Sequence, residues 1–274
     1  MTAVLKLMFR RLRNSFLLAC CCSSLMAETP SREAPNLKAT PANQLVVAGN
    51  ACGPTALLNA FRFGSPAWQR ASNAIAGTTD KELIYTIIRE SGMRPSASIK
   101  HRPRWSKSGV NLVDLCDIGN ELTRGHFLPL MSQEVLFTKS GESQKKLLTR
   151  AHHVFETSLE KGLPPIISLR RYVHRSQKGK ASEWIVLDAH FVTITSVPRS
   201  LEMNATSFPV TYADPWGGKI CQGSISIPTR SVLAGTAADS PCLEAIFPQA
   251  SVGKKLIRPG ESSVLTAVAV LGRW

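Results

Sequence analysis

Residues 50–61 read NACGPTALLNAF and predict a loop that turns into a helix, with a cysteine at the turn. Pro54 has a preset φ and lacks an N–H, so it suits the first position of a helix. The residues that then share one face at helical spacing are Ala56, Leu57, Ala60 and Phe61. Cys52 is therefore expected at or just before a helix N-terminus.

This position makes Cys52 a candidate nucleophile. The aligned peptide dipoles and free N–H groups at a helix N-terminus stabilise an anion, which favours the thiolate over the thiol. The thiolate is the form of cysteine that attacks a carbonyl carbon. The alternative is a buried structural cysteine, because free cysteine is among the most buried residue types.

Length and charge limit the classes of protein to consider. The 274 residues suit one domain once an export signal is removed. The net charge is +14, and four of the positive charges lie in the first 27 residues, which leaves +10. A basic surface favours acidic partners, such as an acidic envelope surface. No nucleic-acid-binding motif accompanies the charge, so specific nucleic-acid binding is not expected.

The basic residues form two clusters, and a solvated basic face is the simplest interpretation of each. The first cluster contains Arg89, Arg94, Lys100, Arg102, Arg104 and Lys107, and the second contains Arg170, Arg171, Arg175, Lys178 and Lys180.

The first 43 residues predict a targeting segment followed by a linker. Residues 1–27 have a basic start, a short apolar run and small residues at its end, which is typical of a cleaved secretory signal peptide. The alternative is a lipoprotein signal in which Cys20 carries the lipid. Either signal predicts an exported protein, periplasmic, secreted or on the outer surface, with no transmembrane helix in the mature chain. Residues 28–43 predict a flexible lead-in to a domain at 44–274.

Helical patterns precede strand patterns along the rest of the chain. Helices are predicted at 78–92, 111–124 and 143–161, and strands at 165–170, 183–197, 208–213, 219–227 and 264–271. His152 and His153 are expected at the surface or edge of the last helix. This order predicts an α+β domain in which a helical half packs on an antiparallel β-sheet.

The predicted strands carry two residues that could act with Cys52. His190 lies in the strand at 183–197, and Asp214 ends the next strand. A cysteine nucleophile needs an imidazole within hydrogen-bond reach, and the imidazole needs a third group to fix its tautomer. Asp188 is an alternative third group, because it shares a strand face with His190. A lone strand histidine is ordinarily a core residue, but the combination favours a catalytic site.

The chain resembles the papain-like cysteine peptidases, and more closely the C39-like peptidases among them. The resemblance rests on four motifs that occur in the family's order: NACGPTAL at 50–57, GLPPII at 162–167, HFVTI at 190–194 and DPWGG at 214–218. It implies a papain-like fold and a catalytic domain over 44–274. It also implies that Cys52 is the nucleophile, His190 the base and acid, and Asp214 the orienting group.

The glutamine that the resemblance implies for the oxyanion hole is displaced. The family places it about six positions before the cysteine, where this chain has Val46, and Gln44 lies eight positions before. Gln44 can serve if the loop through Gly49 and Asn50 takes up the extra residues, since Gly and Asn tolerate positive φ. Asn50 is the alternative donor.

The expected function is that of an exported cysteine peptidase, which cleaves peptide or protein substrates and requires no metal or organic cofactor. Two alternatives stay open: a transpeptidase or γ-glutamyl transferase with the same triad, and a catalytically degenerate papain-like domain that only binds. Cys221 and Cys242 either form a disulfide in an oxidising compartment or are two free buried thiols.

Overall fold

The computed structural model describes residues 30–176 and 182–274, and within them helices surround a closed antiparallel β-barrel. The helices are α1 Cys52–Phe63, α2 Pro66–Asn73, α3 Asp80–Ile87, α4 Leu112–Thr123 and α5 Gln144–Glu160. The strands are β1 Ser31–Glu33, β2 Trp105–Ser106, β3 Gly109–Val110, β4 Ser132–Val135, β5 Ile166–Arg175, β6 Glu183–Pro198, β7 Ser207–Asp214, β8 Lys219–Ser226, β9 Leu243–Ile246 and β10 Ser262–Gly272.

Local signals explain where the predicted helices begin. Thr79 caps α3 in a capping box with Glu82, and Ser143 caps α5 through the N–H of Lys146. The helices predicted at 78–92, 111–124 and 143–161 are confirmed as α3 with a following π turn, α4 and α5. Helix α2 was not predicted, because its eight residues are too few for a clear apolar period.

The barrel closes because β6 pairs on both sides. Neighbours around the ring follow the order β6, β5, β10, β9, β8, β7 and back to β6, and every pair is antiparallel. Strand β6 has 16 residues and a register shift between Ile194 and Ser196 where it meets β7. Such irregularities bend a strand and increase its twist, which lets a sheet curl onto itself. Strands β1 and β4 extend the sheet from β6 and β10.

The expected fold, a papain-like helical half packed on a β-sheet, is therefore wrong. The chain forms a closed six-stranded antiparallel barrel with five short helices around it. The strand positions were visible in the sequence, but their pairing was not, since a pattern of alternation does not say which strands meet. The strand β9, which links β8 to β10 in the ring, was not predicted at all.

Helix α1 is fixed against the barrel by apolar packing and by one buried hydrogen bond. Its apolar face shares a core with Ile166, Phe191 and Leu271 of the barrel strands. The hydroxyl of Thr193 on β6 donates to the carbonyl oxygen of Ala56 at 2.8 Å. The start of α1 is thereby held over the same strand that carries His190.

Other predictions made from the sequence can be compared with the structure. Residues 1–27, with the signal peptide and Cys20, lie outside the described residues, as do Lys178 and Lys180. In the segment expected as a flexible lead-in, Ser31–Glu33 pair with β6 and Ala42 is buried. Of the cysteines in the described residues, all four are buried free thiols, so Cys221 and Cys242 form no disulfide.

The expectation for His152 is also corrected. This side chain is 6% exposed, and its Nε2 donates to the carbonyl oxygen of Pro198 at 2.8 Å, so it belongs to the packing between α5 and β6. Its neighbour His153 is exposed, as expected.

Candidate active site

Cys52 is the first residue of α1 and is 3% exposed. The first N–H groups of a helix have no partner within the helix, so the thiol lies beside free donors. The next residue must be small, because a Cβ on Gly53 would lie 2.3 Å from Cγ1 of Val110. Glycine therefore lets the short hairpin of β2 and β3 approach the helix start.

His190 and Asp214 come together across the seam between β6 and β7. Nε2 of His190 lies 2.7 Å from Oδ1 of Asp214, and the two residues are 6% and 3% exposed. The same Oδ1 accepts the backbone N–H of Trp216 at 2.8 Å, which holds the carboxylate in place. The thiol of Cys52 lies close enough to the His190 ring to raise the pKa of that ring. The structure thus brings the three predicted residues into one buried line.

The charges along this line favour a protonated imidazole. Burial alone would lower the pKa of His190, but its interactions with Asp214 and Cys52 outweigh this effect and raise the pKa to about 10. The ring is then an imidazolium at neutral pH, between a carboxylate and a sulfur atom. This is the charge arrangement in which a cysteine side chain acts as a thiolate nucleophile.

Asp188 lies away from this line. Its Oδ2 accepts the backbone N–H of Gly253 at 2.9 Å, and its Oδ1 accepts the N–H of Ala189 at 2.9 Å. Asp188 therefore anchors the loop that carries Gly253, and the structure gives it no contact with His190 among its hydrogen bonds.

Gln44 lies beside the turn that follows Asp214. It starts a 3₁₀ turn at Gln44–Val46, is 4% exposed, and donates its backbone N–H to the carbonyl oxygen of Pro215 at 2.9 Å. Within the described residues its buried Oε1 has no hydrogen-bond partner. A buried acceptor without a partner is costly in free energy. Val46, at the position the family pattern would use, is 39% exposed.

The hairpin of β2 and β3 clamps the loop that leads to Cys52. Gly49 adopts φ 90°, a conformation that glycine reaches at little cost. The backbone N–H of Asn50 donates to the carbonyl oxygen of Lys107 at 3.1 Å, and the carbonyl oxygen of Asn50 accepts the indole Nε1–H of Trp105 at 2.9 Å. Sequence reasoning missed this clamp, since nothing in the pattern links positions 50 and 105.

An apolar rim borders the site on the side of Gln44. Leu45 is 53% exposed and Trp216 is 47% exposed, and their backbones are neighbours because Oδ1 of Asn43 accepts N–H groups from both Leu45 and Gly217. Trp216 is therefore partly open to solvent and does not belong to the core.

Comparisons with protein-family models, curated proteins and solved structures return no match to this chain. Within residues 30–176 and 182–274, no group of three or more His, Cys, Asp or Glu side chains is arranged to hold a metal ion. The same part of the chain contains no helix that is both long and apolar enough to cross a bilayer.

Proposed function

We propose that the protein is a cysteine peptidase of the C39-like type that cleaves peptide or amide bonds with Cys52, His190 and Asp214. The observation that carries the proposal is the buried line of thiol, imidazole and carboxylate, with 2.7 Å between the ring and Asp214. The four sequence motifs that resemble this family support the same activity. The basic start of residues 1–27 and the short apolar run that follows it support export of the protein.

The first half of the reaction forms a thioester. The Cys52 thiolate attacks the substrate carbonyl carbon, and the carbonyl π electrons move to oxygen, which becomes an oxyanion. The imidazolium of His190 then gives its proton to the amide nitrogen as the C–N bond breaks, so that the amine leaves neutral. Asp214 keeps the ring oriented and stabilises its positive charge throughout.

The second half returns the enzyme to its starting state. His190, now neutral, removes a proton from water, and the resulting hydroxide attacks the thioester carbon. The C–S bond breaks, the carboxylic product leaves, and Cys52 and His190 are again thiolate and imidazolium. No electrons are exchanged with an external reagent.

Gln44 is proposed to share the oxyanion hole with the backbone N–H of Cys52. The tie between Gln44 and Pro215 supports this role, because it holds the amide next to the turn that positions Asp214. We expect Gln44→Ala to lower kcat by roughly 10²–10³ with little change in KM. Asn50→Ala is the matched control, and a larger loss in that variant than in Gln44→Ala would transfer the role to Asn50.

The decisive experiment is the rate of Cys52 alkylation by iodoacetamide as a function of pH, followed by mass spectrometry in wild type and His190→Ala. We expect rapid labelling at mildly acidic pH in wild type, which is lost without His190. An ordinary thiol would instead label only as the pH approaches ~8.5. That slow profile in wild type, unchanged by the mutation, would reject the proposed pair. Cys52→Ala and His190→Ala should also abolish cleavage of a fluorogenic peptide library while near-ultraviolet circular dichroism is retained.

A further inference from the structure

The segment at residues 91–113 has an unusual charge balance. It contains five cations, Arg94, Lys100, Arg102, Arg104 and Lys107, and no aspartate or glutamate. We call it the basic segment. It leaves the end of the π turn after α3, includes the hairpin of β2 and β3, and ends at the start of α4. Closely spaced like charges repel one another, so such a segment is stabilised by a partner of opposite charge.

Two of the five cations share one carboxylate of the protein. Arg94 and Arg104 both bind Glu121 on α4, at 2.6 Å and 2.8 Å. Lys100, Arg102 and Lys107 form no ion pair with any carboxylate among the described residues, and Lys100 and Lys107 are exposed. Three positive charges of the basic segment are therefore free to meet a ligand.

The basic segment reaches the nucleophile loop directly. The carbonyl oxygen of Lys107 accepts the N–H of Asn50, two residues before Cys52, and Val110 packs against Gly53. Carboxylates on the other side of the site are already engaged: Asp80 binds Arg62 at 2.8 Å, and Asp214 binds His190. The hairpin thus forms a wall beside the nucleophile loop that carries more cations than acids. Asp114, which accepts hydrogen bonds from Ser96 and Ser98 of the segment, is fully buried.

We propose that this wall selects acidic polypeptides, with Lys100, Arg102 and Lys107 as the specificity-determining residues. The inference rests on the proposed peptidase function and names its substrate class. An extended chain that places a backbone carbonyl at Cys52 runs past the hairpin, where its glutamate or aspartate side chains meet the free cations. Such pairing raises the rate of encounter more than it slows dissociation.

The test uses two internally quenched peptide libraries with the same randomised centre, one flanked by glutamates and the other by glutamines. We expect wild type to cleave the glutamate library with about tenfold higher kcat/KM at low salt, and high salt to remove the difference. The triple variant Lys100→Glu, Arg102→Glu and Lys107→Glu should lose this preference. The control carries the same charge change at the exposed residues Lys38, Lys146 and Lys161 and should keep it.

Equal kcat/KM for the two libraries, or an equal loss of preference in the control, would overturn the inference. If wild type cleaves neither library, the proposed peptidase function has failed. A binding measurement then tests on its own whether the basic segment selects acidic polypeptides. Anisotropy of a fluorescein-labelled polyglutamate peptide should show about tenfold weaker binding to Cys52→Ala with the triple change than to Cys52→Ala with the control change. Equal binding, or tighter binding of a single-stranded oligonucleotide of equal charge, would contradict it.

Discussion

At the scale of single residues, His190 on β6 links two other elements, because its ring lies between Asp214 at the end of β7 and Cys52 at the start of α1. Its ring meets Asp214 on one side and Cys52 on the other, inside a site that is almost closed to solvent. Removing either partner changes the proton affinity of the ring without removing the ring. The roles of the three residues can therefore be separated by pH.

Asp214→Asn is expected to lower kcat/KM by roughly 10²-fold or more, because an amide cannot stabilise the imidazolium. Asp214 helps to raise the pKa of His190, so its loss lets the ring deprotonate at lower pH. The alkaline limb of the pH profile of kcat/KM, which requires protonated His190, should then move to lower pH. Asp188→Asn is the control and should leave both the rate and the profile unchanged. The opposite pattern would make Asp188 the third group.

At the scale of elements, the hairpin of β2 and β3 acts as a clamp on the loop before α1. Both backbone polar groups of Asn50 bond to it, one through Trp105 and one through Lys107. The salt bridge from Arg104 to Glu121 in turn ties the hairpin to α4. This chain of contacts therefore holds the loop that leads into Cys52.

Trp105→Phe keeps most of the apolar packing but removes the indole N–H that Asn50 accepts. We expect kcat to fall about three- to tenfold with KM little changed, since one hydrogen bond contributes about 0.5–1.5 kcal/mol. Trp184→Phe on β6 is a matched control, because Trp184 packs against His174 away from the site. An unchanged kcat in Trp105→Phe would show that the clamp does not position the nucleophile.

A second contact between elements, formed by Arg150, holds the start of α5. Arg150 forms two parallel hydrogen bonds to Glu142 at 2.8 Å and 2.7 Å and a third to Glu134 on β4 at 2.7 Å. The hydrogen bonds from Arg150 lower the pKa of Glu142 to about 2. This arrangement joins the helix to the strand that extends the barrel from β10.

Glu142→Gln should reduce the free energy of unfolding at neutral pH by about 1–2 kcal/mol. Because the folded pKa of Glu142 lies below its unfolded value of 4.5, this contribution is complete above pH 4.5 and is lost as the pH falls towards 2. Urea unfolding of wild type and variant should therefore differ at pH 7 and converge near pH 2. Glu160→Gln, at an exposed pair with Arg32, should change little at either pH. A difference that persists at low pH would contradict the role of the charge.

The sequence predicts those parts of the molecule that depend on neighbours along the chain. The caps at Thr79 and Ser143 and the periodicity that follows each of them predict α3 and α5 correctly, because a helix is stabilised by contacts three or four residues apart. The residues Cys52, His190 and Asp214 were named from the chemistry of their types and from a resemblance. The clamp at Trp105, the seam between β6 and β7 and the burial of His152 depend on residues far apart in the chain, and no local pattern encodes them.

At the scale of the whole molecule, the fold buries three thiols whose behaviour should differ from that of Cys52: Cys116 on α4, Cys221 on β8 and Cys242 just before β9. Burial raises the pKa of Cys116 to about 11 and that of Cys242 to about 12, and burial also raises the pKa of Cys221. The nearby carboxylates of Asp117 and Glu244 act in the same direction on Cys116 and Cys242. These three thiols are held neutral by the fold.

We therefore expect iodoacetamide at pH 7 to label Cys52 in the folded protein while Cys116, Cys221 and Cys242 stay unmodified for as long as the protein is folded. All four should become labelled together in a denaturant titration, at the midpoint of unfolding. Peptide mapping by mass spectrometry distinguishes the sites. Fast modification of Cys221 or Cys242 in the native state would show that the barrel opens locally.

The position of β10 in the ring has a consequence for the order in which the barrel and the surroundings of Cys52 are assembled during synthesis. Strand β10 lies between β5 and β9 and also pairs with β4, yet it is the last strand to emerge from the ribosome among those described. Cys52 is made more than two hundred residues earlier than the end of β10. Until β10 inserts, the ring is open between β5 and β9, and Leu271 of β10 is missing from the core that contains Cys52. We therefore expect the surroundings of Cys52 to be completed only after β10 has left the ribosome.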